Sequence, residues 1–147
     1  MGEQPVTAAA LVRFSSELES RLETFYQELA ERFPSHRATF AGLARDCAKN
    51  GAQVMRTYQE TVTDALETGF SFAGLSLQAY QVDLTVPEGT DLATAVQTAR
   101  ALQARIAAFY EDVAERCASL LATIPRTFKR VARTHAQHRE TLGTLGG

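Results

Sequence analysis

Between residues 7 and 33 the chain sets Leu11, Phe14, Leu18, Leu22, Phe25 and Leu29 three or four positions apart, with polar and charged residues between them. That period draws one apolar stripe along a helix, and Pro34, which cannot donate a backbone hydrogen bond, ends it. After Ser35, a residue suited to capping, a second run over 36–68 carries Phe40, Leu43, Cys47, Val54, Tyr58, Val62 and Leu66 on one face until Gly69. Lys49, Gln53, Arg56 and Glu60 fall largely outside that face. Residues 69–90 hold three glycines and a proline without a helical period, and predict a long connection apolar enough to pack against something. A third helix is predicted over 91–122, opened by Asp91 as a cap and striped by Leu92, Val96, Ala99, Leu102, Ile106, Phe109, Val113 and Leu120. Pro125 interrupts it, and a fourth over 125–142 presents Phe128, Val131, His135, His138 and Leu142 before Gly143.

Helices near 30 residues extend about 45 Å at 1.5 Å per residue, a length typical of bundles. The expected fold is therefore all-α: one domain over 1–147, a four-helix bundle of two antiparallel hairpins joined by a long crossover connection. At 147 residues and 45% hydrophobic content the chain supports one core and is too short to expect two. Fifteen basic residues against 17 acidic ones are interspersed, so no basic stripe is available to neutralise phosphates, and nucleic acid is excluded as a partner. No stretch approaches the ~20 apolar residues of a membrane span, and the first residues lack a signal-peptide pattern, so a soluble cytoplasmic protein with no membrane partner is expected. Cys47 and Cys117 both fall in helical patterns, which argues against a disulfide framework.

The chain also repeats itself. "LESRLETFYQELAERF" at 18–33 aligns without a gap on "LQARIAAFYEDVAERC" at 102–117, pairing Phe25-Tyr26 with Phe109-Tyr110. "FAGLARDCAKNGAQV" at 40–54 then aligns on "FKRVARTHAQHRETL" at 128–142. Phe25 and Phe40 are 15 residues apart and Phe109 and Phe128 are 19 apart, so the second copy has four more residues in its hairpin.

These half-repeats resemble the rubrerythrin branch of the ferritin-like family over both hairpins, the connection excepted. That family follows Glu-x-x-small/apolar-x-x-Phe-Tyr on the first helix of each hairpin, and Phe-x-x-apolar-Ala-x-x-Glu-x-x-His-x-x-x-apolar on the second. The aromatic anchors place its glutamates at Glu19 and Gln103, and its two Glu-x-x-His pairs at Cys47 with Asn50 and at His135 with His138. Only Glu19 and His138 keep the residue type. The resemblance implies a ferritin-like bundle, a metal site at these positions and a homodimer.

The family's di-iron centre balances two cations with four carboxylates. With one carboxylate left, about three charges would stay uncompensated in the interior, at several kcal/mol per ion, so no di-iron centre and no ordinary di-iron oxidase or peroxidase chemistry is expected. The Cys-x-x-Cys module that serves electron transfer in some relatives is missing as well. The substitutes still include ligand types. Cys47, His135 and His138, with Glu19 as a fourth, make a thiolate, imidazole and carboxylate set that suits one divalent ion of zinc, iron or copper. Gln103 and Asn50 would orient the imidazoles by hydrogen bonds.

Two readings follow. The first is a metal-binding protein with an altered mononuclear site, in metal handling or redox chemistry. The second is a metal-free bundle acting as a structural or protein-interaction subunit, in which the histidines are satisfied core residues, Cys47 is a small hydrophobe and the connection or an outer helix face makes a dimer contact. Tyr26 and Tyr110 read as repeated packing aromatics, Cys117 as core filler and His36 as an exposed turn residue.

Overall fold

The computed structural model of the chain describes residues 8–61, 77–116 and 123–145. Among them are four α-helices and no strand: α1 (Ala8–Arg32), α2 (Arg37–Thr61), α3 (Leu92–Arg116) and α4 (Thr123–Leu145). The predicted stripes are the buried ones. Leu18, Leu22, Phe25 and Leu29 of α1 join Phe40, Leu43 and Val54 of α2, Val96, Ile106, Phe109 and Val113 of α3, and Phe128, Val131 and Leu142 of α4 in one apolar core. Tyr58 and Cys117, Leu120, Val62 and Leu66 fall outside the residues whose side chains are described, as does Gly69.

α1 packs along α2 and α3 along α4, with α2 against α4. Each pair runs antiparallel, as the contacts show: Tyr26 stacks on Phe40 and Glu19 meets Asn50 in the first, while Tyr110 stacks on Phe128 and Gln103 meets His135 in the second.

The helix ends follow local chemistry. α1 stops at Arg32, and a 3-10 turn over Pro34–His36 leads into α2, so Ser35 lies inside the turn rather than at a cap, and His36 is half-buried rather than exposed. Asp91 caps α3 by accepting a 2.8 Å hydrogen bond from the Thr94 amide. α4 is longer than its expected span at both ends. It starts at Thr123, so Pro125 sits within the first turn, where its missing N–H would be unpaired anyway. It also continues through Gly143, where the absent side chain leaves room for Arg100: a Cβ there would lie 3.4 Å from the guanidinium carbon.

The connection between the hairpins is described from residue 77, and it closes on its own bundle. Val86 is buried, and Leu77, Tyr80, Val82 and Leu84 pack on the core. Arg21 of α1 donates to the Val82 carbonyl, Arg105 of α3 to the Ala79 carbonyl, and the Tyr80 hydroxyl to Asp112 at 2.9 Å. Its apolar residues are thus used within the chain. Met55 is the one large exposed hydrophobic side chain among the described residues.

Phe109 is where these parts meet. Its ring lies 5.1 Å from Phe14 of α1, 5.2 Å from Tyr80 of the connection and 5.0 Å from Tyr110. Replacing it with alanine is predicted to cost about 3–5 kcal/mol of stability, because the void borders three elements that cannot all collapse into it. Urea denaturation measures this, and a loss under about 1 kcal/mol would show that the core there is not closely packed.

Candidate functional site

Each residue that the aromatic register singled out is buried in the interior: Glu19, Cys47, Asn50, Gln103, His135 and His138 are all at most 4% exposed. The helical period accounts for this: Glu19, Cys47, Gln103 and His135 each lie seven residues, about two turns, from Tyr26, Phe40, Tyr110 and Phe128 of their own helices, and Asn50 and His138 lie three residues beyond Cys47 and His135, next to them on the helix surface.

Glu19 stands at the centre. Its Oε2 accepts a 2.6 Å hydrogen bond from the Tyr110 hydroxyl and lies 2.7 Å from His135 Nε2, while the Asn50 amide nitrogen is 3.4 Å from its Oε1 and 3.4 Å from the same His135 nitrogen. Behind His135, Gln103 fixes the tautomer. Its amide donates to the Tyr26 hydroxyl, so its carbonyl faces His135 Nδ1 at 2.6 Å, and Nδ1 carries the proton that bridges them. Nε2 and Oε2 would then both present lone pairs, so their contact requires one further proton held between them. The chain of bonds runs Tyr26, Gln103, His135, Glu19, Tyr110, across three helices.

The Tyr110 ring stacks on His135 at 5.7 Å and 5° between planes. Burial above all, with the Glu19 charge adding to it, holds the Tyr110 phenol far above its ordinary range, so it acts as a donor. Tyr26 is raised too, chiefly by burial. Cys47 lies beside Glu19, and its thiol is pushed strongly upward by burial first and by the Glu19 and Asp46 charges next, so it stays protonated. Ser15 is buried near the Tyr110 phenol, but its hydroxyl has no partner of hydrogen-bonding geometry.

His138 sits edge-on to His135 with ring centres 5.4 Å apart, yet bonds elsewhere: its Nε2 is 3.1 Å from Asp46 Oδ2. Its Nδ1 is buried and has no hydrogen-bond partner. Burial first, and the neighbouring His135 next, lower its pKa below the ordinary value near 6.5, so the ring is neutral at pH 7 with Nε2–H donated to Asp46 and the lone pair on Nδ1.

Glu19, Asn50, Gln103 and His135 are thus brought into one hydrogen-bonded cluster, with Cys47 against it, whereas His138 neighbours the cluster without bonding to it. Gln103 and Asn50 both contact His135, as ring-orienting partners would. Asp46 belongs to none of the sequence motifs, although an acidic residue one position before Cys47, on a helix that faces His138, is a usable signal. The two tyrosines, read there as packing, also carry polar bonds. Among the described residues no three His, Cys, Asp or Glu side chains converge at a spacing that would hold a metal ion. The donor set does not fit a di-iron centre, since Glu19 is the single carboxylate in the cluster. No helix among the described residues is long and apolar enough to cross a membrane.

Comparison with known proteins returned no matching family model, no similar curated protein and no similar solved structure.

Two predictions follow from the cluster itself. Gln103→Leu is expected to cost about 1–3 kcal/mol, because the His135 Nδ1 proton is left buried without an acceptor; unfolding at constant pH checks it, and an unchanged midpoint would show that this bond is not made. The lowered pKa of His138 gives a sign for pH. Between its native value and about 6.5 the unfolded chain binds a proton that the folded protein does not, so stability rises with pH across that window and falls as pH drops through it. His138→Gln should flatten this part of the stability profile relative to wild type, and parallel profiles would contradict the assignment.

Proposed function

We propose that the chain is a ferritin-like bundle of the rubrerythrin type that binds one divalent metal ion at the Glu19 and His135 cluster and serves in metal handling or redox chemistry. The observation that carries this reading is His138. Its Nε2 proton is held by a carboxylate while its unprotonated Nδ1 is buried with no partner, which is how a metal-ligating imidazole is oriented by its neighbours. The proton between His135 Nε2 and Glu19 Oε2 marks a second place where a cation would substitute for hydrogen. Cys47 and Glu19 would supply two negative charges to a divalent ion once the thiol proton is released, and Cys, His and carboxylate are ligands that zinc, iron and copper accept. The duplicated aromatic pattern supports the family reading, which also carries a homodimer, to be checked by light scattering in solution.

A different observation favours a metal-free structural or interaction subunit: Glu19 already has partners on α2, α3 and α4, so the cluster closes without a cation. Metal analysis of protein purified without chelator separates the two. The first reading expects close to one ion per chain, lost in the His135→Ala, His138→Ala double variant. Negligible metal in both, with wild type refusing added zinc, iron(II) and copper, would leave the second.

A further inference from the structure

Along the chain acidic and basic residues are interspersed, but the fold sorts them by helix. α2 and α4 carry nine of the 15 basic residues against three of the 17 acidic ones, a net charge of +6. The rest of the chain holds six against 14, a net of −8. These two helices lie side by side along a seam marked by Asp46 with His138, Asn50 with His135 and Thr57 with Thr127.

Beside that seam each helix lays a row at helical spacing. Arg45, Lys49, Gln53 and Arg56 of α2 are four, four and three residues apart, and Gln53 is three residues from Asn50 and four from Thr57. Arg126, Arg130, Thr134 and Gln137 of α4 repeat the spacing, with Arg130 three residues after Thr127 and Thr134 four before His138. All five cations are exposed, and none has an ion-pair partner among the described residues. The antiparallel pairing gathers three of them at one end: Arg56 and Arg126 are each one residue from the threonines whose hydroxyls meet at 2.8 Å, and Arg130 follows one turn on.

Of the three acidic residues on these helices, Asp46 stands in the seam against His138, and Glu60, four residues beyond Arg56, falls outside the residues whose side chains are described. Glu140 lies seven residues from Arg133, on the opposite edge of α4, where Lys129 and Arg133 face Glu111 and Glu115 of α3. Even with Asp46 and Glu60 both counted, the five cations leave the face at +3. No apolar or aromatic side chain interrupts either row, so the face offers no anchor for the core of a protein interface and no wedge for a bilayer. Arginine, lysine, threonine and glutamine are instead side chains that hold phosphate oxygens. Two rows on neighbouring helices, about 8–10 Å apart axis to axis, match the two backbones that border a duplex groove about 6–12 Å wide.

We propose that the α2 and α4 face binds the phosphate backbone of a nucleic-acid duplex, without reading its sequence, through Arg45, Lys49, Arg56, Arg126 and Arg130. The basic stripe is absent from the linear order of charges and arises when α2 packs on α4, so the exclusion of nucleic acid drawn from that order does not extend to the folded surface. The proposal is independent of the metal reading.

The test is the fluorescence anisotropy of a labelled DNA duplex of about 24 base pairs and mixed sequence, titrated with the full chain at about 50 and about 200 mM salt. Binding at about 1–10 μM is expected at the lower salt, weakening about 40-fold at the higher, as the release of about three counterions requires. The Arg56→Gln, Arg126→Gln variant is expected to bind about tenfold more weakly, with a log–log salt slope lower by about 2. Lys129→Gln, Arg133→Gln removes the same charge from the opposite edge of α4 and should bind like wild type, and circular dichroism checks that both variants keep their helices. No binding at the lower salt, or equal weakening by the two variants, would overturn the face. Tighter binding to vesicles of anionic phospholipid than to the duplex, lost in the Arg56→Gln, Arg126→Gln variant, would overturn it in favour of a membrane surface.

Discussion

One buried carboxylate governs the interior. Glu19 is 1% exposed, and an ionised group so placed costs several kcal/mol unless its lone pairs are met by well-placed donors. The donors come from three other helices: the amide of Asn50 on α2, the hydroxyl of Tyr110 on α3 and the imidazole of His135 on α4. A rotation or one-turn slip of any helix would strip Glu19 of a partner, whereas the surrounding leucines and phenylalanines would accept many arrangements of similar volume. The apolar stripes bring the helices together, and the polar cluster decides how they sit.

The same constraint explains which substitutions the slots tolerate. Four carboxylates crowded at one depth repel each other unless cations lie between them. With glutamine, cysteine, asparagine and histidine in the other slots, the cluster holds a single negative charge, which neutral donors and one shared proton can satisfy. A divalent ion there must displace that proton, and it also needs the Cys47 proton to leave, because the thiol is held protonated by burial and by the adjacent carboxylate. The arrangement is a closed hydrogen-bond network around one carboxylate, too few to balance the two cations of a di-iron centre.

Much of this was legible in the sequence, for a definite reason. Helical periodicity gives phase, so the stripes from Leu11 to Leu142 could be read from spacing, while the inward aim of positions 19, 47, 50, 103, 135 and 138 was what the resemblance of the aromatic anchors to the rubrerythrin pattern implied. Direction within the interior could not. Whether His138 turns to His135 or to Asp46 depends on rotamers and on a helix 92 positions away, which no local pattern encodes. The end of α4 differs too: Gly143 reads as a stop from propensity, but the helix runs on through it to Leu145, with Arg100 packed where a side chain would be.

The interaction-subunit reading needs a surface as well as a closed interior. The connection was the natural candidate, and from Leu77 onward its apolar residues face the bundle, tied down by Arg21, Arg105 and Tyr80. Among the described residues Met55 alone is large, apolar and exposed, and it lines a groove that Glu19 and Cys47 also line.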